Sequence, residues 1–91
     1  MFEVRFSHKA EKFLKKCEPK LLERLRALFS KLQENPAPAT EYDVCKIAGL
    51  NDTYRIRLSS YRTAYSIFWE QKIVRVMKIE RRKDRTYKNL G

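Results

Sequence analysis

Glycine occurs twice in this 91-residue chain, cysteine twice and histidine once. With Gly49 and Gly91 alone, no glycine-rich loop is available to cradle a nucleotide phosphate. Any Ser-His-Asp or Cys-His pair would have to use His8, which sits where a helical pattern begins and reads as an exposed helix-end residue. Cys17 and Cys45 form no C-x-x-C, and one histidine beside them makes no zinc site of usual spacing. Both cysteines fall among apolar neighbours and read as reduced core thiols. No cofactor is expected. The apolar runs are only a few residues long, so nothing in the chain is expected to span a bilayer. Met1-Phe2-Glu3 leads straight into a strand pattern, without a basic-then-apolar leader, and the expected location is the cytoplasm. The acids are scattered, and no pair stands out for general acid–base work.

Cations, in contrast, are abundant. Lysine and arginine number 21 against 11 acids, a formal charge of +10. Such a charge on so small a chain attracts polyanions, nucleic acid first. Hydrophobic residues make up 43% of the chain, enough for a folded core. The length gives room for one domain, residues 1–91, that hides roughly 60–65% of its unfolded surface.

Phe2-Glu3-Val4-Arg5-Phe6 alternates and predicts a first strand. Ser7 is a suitable helix N-cap, and Ala10, Phe13, Leu14 and Cys17 follow one helix face over residues 8–17. Glu18-Pro19 interrupts, and proline suits the first turn of a new helix. Leu21, Leu22, Leu25, Leu28, Phe29 and Leu32 form the clearest apolar stripe and predict a helix over 19–34, ended by Asn35-Pro36. A strand follows over 42–47, then turn chemistry at Ala48–Asp52. Residues 54–69 read as a β-hairpin: Ile56 and Leu58 alternate with Arg55 and Arg57, Ser59-Ser60 interrupts, and Tyr61 to Trp69 resumes. After Glu70-Gln71, the β-branched residues of 73–79 predict a further strand with both faces partly apolar, hence an interior one. The order, written β-α-α-β-β-β with the strands meandering after the helices, predicts an α+β domain. A helical hairpin covers one face of a mainly antiparallel sheet. The other face then carries Arg55, Arg57 or Arg62.

Cation stands beside aromatic throughout the second half. Lys46, Arg55, Arg57, Tyr61, Arg62 and Tyr65 come first. Residues 72–88 then hold Lys72, Arg75, Lys78, Arg81, Arg82, Lys83, Arg85 and Lys88 against Glu80 and Asp84, with Tyr87 among them. Arginine grips phosphate with two hydrogen bonds and stacks on bases, and tyrosine adds a ring and a phenol. A charge run alone is usually a solvated face. Strand-borne arginines beside it turn the balance toward RNA binding.

In this order, Lys46-Ile47-Ala48-Gly49, Tyr54-Arg55-Ile56-Arg57-Leu58 and Tyr61-Arg62-Thr63-Ala64-Tyr65 resemble the RelE/ParE toxin superfamily. The resemblance extends through the basic ending with Tyr87 and covers essentially the whole chain. It implies a RelE-like fold and the toxin of a type II toxin–antitoxin system. A cognate antitoxin would hold the toxin inactive by wrapping a helix or extended segment over it. RelE-type members are ribosome-dependent endoribonucleases that cut mRNA in the decoding site. ParE-type members share the fold but poison DNA gyrase. The cationic tail with Tyr87 favours the RelE branch, with ribosome and mRNA as partners. By motif, Arg62 and Arg82 would stabilise the charged phosphate, with Arg81 the alternative to Arg82. Tyr87 would act as general base or stack on a base, and a base role needs cations nearby to lower its pKa. Lys46 and Arg55 would hold the RNA backbone, assisted by Arg57, Lys83 and Arg85. A gyrase inhibitor and a non-catalytic RNA-binding module are the alternatives.

Overall fold

The structure, a computed structural model, describes residues 1–81. Its elements are β1 (Glu3–Phe6), α1 (His8–Lys16), α2 (Pro19–Glu34), β2 (Asp43–Lys46), β3 (Thr53–Leu58), β4 (Tyr61–Phe68) and β5 (Ile73–Arg81). The order is β-α-α-β-β-β-β, one strand more than the compact notation, because the 54–69 hairpin supplies two. One five-stranded sheet runs β1-β5-β4-β3-β2. β1 lies parallel to β5 and every other pairing is antiparallel. After the helices, the chain enters the sheet at its far edge and returns strand by strand to β1.

Ser7 explains how α1 starts where it does. Its hydroxyl accepts from the Ala10 amide at 3.1 Å and donates to the Met77 carbonyl at 2.6 Å. One side chain thus caps the helix and ties it to β5. α2 begins with Pro19, and its buried stripe is Leu21, Leu25, Leu28, Phe29 and Leu32. These side chains form one core with Ile56, Leu58, Tyr65, Ile67, Val74, Val76 and Ile79 from the sheet. The helices therefore cover one face and leave the other open.

Two backbone features set which residues reach the open face. The hairpin turns through Ser59 at φ 57°, a left-handed conformation suited to a two-residue turn, and this fixes Arg57 opposite Arg62. In β5 the register slips by one: Tyr65 pairs with Val76 and Ala64 with Lys78, leaving Met77 as a bulge. Val74, Val76 and Ile79 all enter the core as a result, although simple alternation would separate Ile79 from the valines. Lys78 and Glu80 are carried to the open face. Gly49 takes φ 83° in the turn after β2, a conformation few side chains tolerate.

Tyr65 is fully buried, and its hydroxyl donates to the Pro36 carbonyl at 2.8 Å, pinning the proline-rich connection to the sheet. Burial, with a smaller contribution from neighbouring Tyr54, pushes the phenol well above its ordinary pKa. Tyr65→Phe is expected to cost about 1–2 kcal/mol, since the carbonyl loses its donor. The raised folded pKa contributes stability below about pH 10 that is lost as pH rises beyond it. Urea titrations at pH 7 and pH 11 should therefore show a shallower alkaline loss in the variant than in the parent.

Candidate nucleic-acid interface

The open face is organised in rows across the strands. In the first row Asp43, Arg57, Arg62 and Glu80 stand in register on β2, β3, β4 and β5. In the second row Cys45, Arg55, Ala64 and Lys78 do the same. Ala64 is the smallest of these, and its short side chain leaves a depression of about 390 Å³ lined by Ile47, Arg55, Arg62, Ala64, Lys78 and Glu80. A smaller hollow beside it is lined by Asp43, Cys45, Arg55 and Arg57.

Two ion pairs hold the rim. Lys78 Nζ lies 2.8 Å from Glu80 Oε2, and Arg57 Nε lies 3.5 Å from Asp43 Oδ2. These groups are well exposed, so each pair adds little stability. Their use is positional, because they hold long cationic side chains over the sheet. Among the described residues no carboxylate pairs with Arg55 or Arg62. Arg62 Nε is buried without a hydrogen-bond partner among the described residues. Like charges placed directly opposite on neighbouring strands disfavour the sheet, and Arg57 and Arg62 are so placed. An anion bound between them would ease that repulsion, since a phosphate accepts several N–H bonds and neutralises the pair.

The residues expected from the sequence divide by face. Arg55, Arg57 and Arg62 all lie on the open face. Lys46 stands in register with Tyr54, which stacks on buried Tyr65, so Lys46 belongs to the helix side. Arg81 is in register with Tyr61, whose ring meets Phe13 of α1 edge-on, and it too is on the helix side. Arg82, Lys83, Arg85 and Tyr87 lie outside the described residues. Tyr61 and Tyr65 do not flank the cations: one packs on α1 and the other is core. Cys45 is exposed on the open face of an edge strand, and Cys17 is partly buried; both are free, and only Cys17 keeps an apolar setting. Lys78 and Glu80 were not expected at the site. Their place depends on the bulge at Met77, which no alternation pattern announces. Among the described residues no cluster of His, Cys, Asp and Glu is gathered for a metal, and no helix is long and apolar enough to cross a membrane.

Residues 4–86 match the family model described as the ParE toxin of the type II toxin–antitoxin system parDE. A Methanocaldococcus jannaschii protein named "Putative toxin RelE1" is 32% identical over 88 residues, covering 97% of both chains. The chain belongs to the RelE/ParE toxin superfamily. It is a RelE-like toxin of a type II toxin–antitoxin system. A chain of the archaeal RelE–RelB complex from Pyrococcus horikoshii superposes with a TM-score of 0.83 at 28% identity, over 91% of this chain and 97% of that one. The isolated E. coli RelE toxin superposes with a TM-score of 0.81 at 24% identity, over 99% and 95% of the two chains, a likeness of fold. The RelE-like layering of two helices on a mixed sheet is thus common to these proteins, and in this toxin the open face of the sheet carries Arg55, Arg57, Arg62 and Lys78.

Proposed function

We propose that this toxin is a ribosome-dependent endoribonuclease that cuts mRNA in the decoding site and so stops translation. The observation that carries this reading is the open-face cluster of Arg55, Arg57, Arg62 and Lys78 around the depression above Ala64. A phosphodiester seated there meets cations on three strands of a rigid sheet: Arg55 on β3, Arg62 on β4 and Lys78 on β5. The RNA supplies its own nucleophile. The ribose 2′-oxygen attacks the adjacent phosphorus, the bond to the 5′-oxygen breaks, and the products are a 2′,3′-cyclic phosphate and a 5′-hydroxyl. One proton leaves the 2′-hydroxyl and one arrives on the 5′-oxygen. The protein's part is to align the attack and to stabilise the charge that grows on the phosphorane.

Arg62 is assigned to that charge, with Arg82 as its partner from the tail. The helix-side register of Arg81 favours Arg82 of the two. Tyr87 is assigned to the proton on the 2′-hydroxyl or to stacking on a base. Arg55, Arg57, Lys83 and Arg85 hold neighbouring phosphates, and Lys46, being on the helix side, serves an approaching strand only at the sheet edge. The cytoplasm is the place of action, with no cofactor required. The RelE–RelB complexes among its relatives support a cognate antitoxin as the partner that restrains it.

A second reading follows from the family model, whose description names ParE. In it the same cationic face contacts DNA gyrase or its DNA and no RNA is cut. Induction of the toxin in a bacterial host separates the two. The RNase reading expects protein synthesis to stop first, with ribosome-bound messages ending in cyclic phosphates. Broken DNA with translation still running would overturn it in favour of the gyrase reading.

A further inference from the structure

We propose that Phe68 is a base-stacking position at the far end of the open face, reached by the single strand of RNA that Arg62 anchors. This rests on reading that face as the RNA site. Arg62, Ala64, Ser66 and Phe68 alternate along β4 and so share the open side of the sheet. Arg62 and Phe68 stand about 20 Å apart along an extended strand, a span of about three nucleotides. The surface between them is low. Ala64 and Ser66 are small, and the Ser66 hydroxyl is drawn down to Thr53 Oγ1 at 3.1 Å and toward Met77 Sδ at 3.6 Å. Cations flank this path. Arg55 and Lys78 stand across Ala64, and Arg75 stands in register with Ser66.

Phe68 differs from its counterparts elsewhere in the chain. Phe2 packs edge-on against Trp69, Phe6 against Phe29 and Phe13 against Tyr61. Of the five phenylalanines, Phe68 is therefore the one without a ring partner among the described residues, and it is 44% exposed. Trp69 turns to the helix side and is engaged by Phe2 and by Asp52 Oδ1 at 3.1 Å. Among the described residues the open face thus offers one exposed ring without an aromatic partner, opposite Ile73 beyond the cations of the middle rows, and no tyrosine from β4 competes for a base. Stacking on such a ring tolerates any base, because every base has a π-face. Phe68 is then a positioning residue: it fixes how far the strand is drawn across the sheet, and with it which phosphate lies at Arg62.

The test uses the full chain and 2′-O-methyl oligoribonucleotides, which cannot be cut through the 2′-oxygen. Affinity is measured by fluorescence anisotropy as the oligonucleotide is lengthened one residue at a time. The parent should gain affinity when the strand first reaches Phe68. Phe68→Ala should lose that gain, roughly tenfold, while binding shorter oligonucleotides as the parent does. Phe68→Tyr should keep it. An abasic residue at that position should weaken the parent by the same factor and leave Phe68→Ala unaffected, which a merely structural role would not produce. Equal affinities for parent and Phe68→Ala at every length, with steep salt dependence retained, would overturn the stacking position alone. Absence of salt-dependent binding in the parent would overturn the RNA reading beneath it. Unchanged RNA binding with lost capture of the antitoxin would overturn the proposal by assigning the ring to a protein partner.

Discussion

Replacing Arg62 by alanine is expected to slow mRNA cleavage on the ribosome by roughly 10²–10³-fold, the usual cost of removing one preorganised donor from a developing anion. The guanidinium sits midway across the sheet, with Arg57 on one side in register and Glu80 on the other. Its Nε is buried with no partner among the described residues, and its side chain lines the depression above Ala64 in which an anion would sit. Arg62→Lys should recover part of the rate, because a single ammonium supplies charge without the planar pair of donors. Folding should not suffer. The substitution removes a buried unpartnered N–H and a like-charge neighbour of Arg57, so the unfolding midpoint should stay level or rise slightly. Single-turnover cleavage of a ribosome-bound message, with thermal melting of the same preparations, checks both halves. Cleavage at the parent's rate by Arg62→Ala would remove Arg62 from the mechanism, and a large fall in midpoint would make the loss of activity structural.

The arginines were legible in the sequence because strand alternation is a simple rule applied to strong markers. Ile56 and Leu58 face a core, so Arg55 and Arg57 face away, but the place of Arg62 depended on the twist of the hairpin, which the turn at Ser59 decides by setting Arg62 opposite Arg57. Helix α2 was equally plain from its leucine stripe, down to Pro19 and Glu34. What escaped depended on structure with no residue signature. The bulge at Met77 adds one residue to β5, and this single slip decides that Lys78 and Glu80 join Arg62. Tyr65 was grouped with the cations around Arg62, and tyrosine suits a surface and a core alike. Its burial depends on the Pro36 carbonyl, 29 residues away, accepting its proton. Cys45 read as core because Val44 and Ile47 are apolar, but β2 is an edge strand with only four residues and one neighbour. The same strand carries Lys46 to the helix side, where a motif read along the chain does not distinguish faces. Phe68 was passed over because the terminus of a hairpin arm gives no sign of which rings will find partners.

Leu25→Ala is expected to abolish toxicity by a different route, through the fold. Leu25 is fully buried in α2, within the core that backs β3, β4 and β5. Deleting its branched end removes apolar contact and leaves a cavity, at about 3–5 kcal/mol. A chain of this length holds only about 5–14 kcal/mol in total. The melting midpoint should therefore fall on the order of 15–30 °C. The cationic rows depend on this core, because strands that separate no longer bring Arg55, Arg62 and Lys78 to one depression. Activity in Leu25→Ala should return on cooling and on any condition that restores the native state, whereas activity in Arg62→Ala should not. Thermal denaturation paired with cleavage at two temperatures distinguishes the cases. A midpoint within a few degrees of the parent's would mean that α2 does not pack against the sheet as described. It would also remove the rigid backing on which the open face relies to hold its cations in place before any RNA arrives.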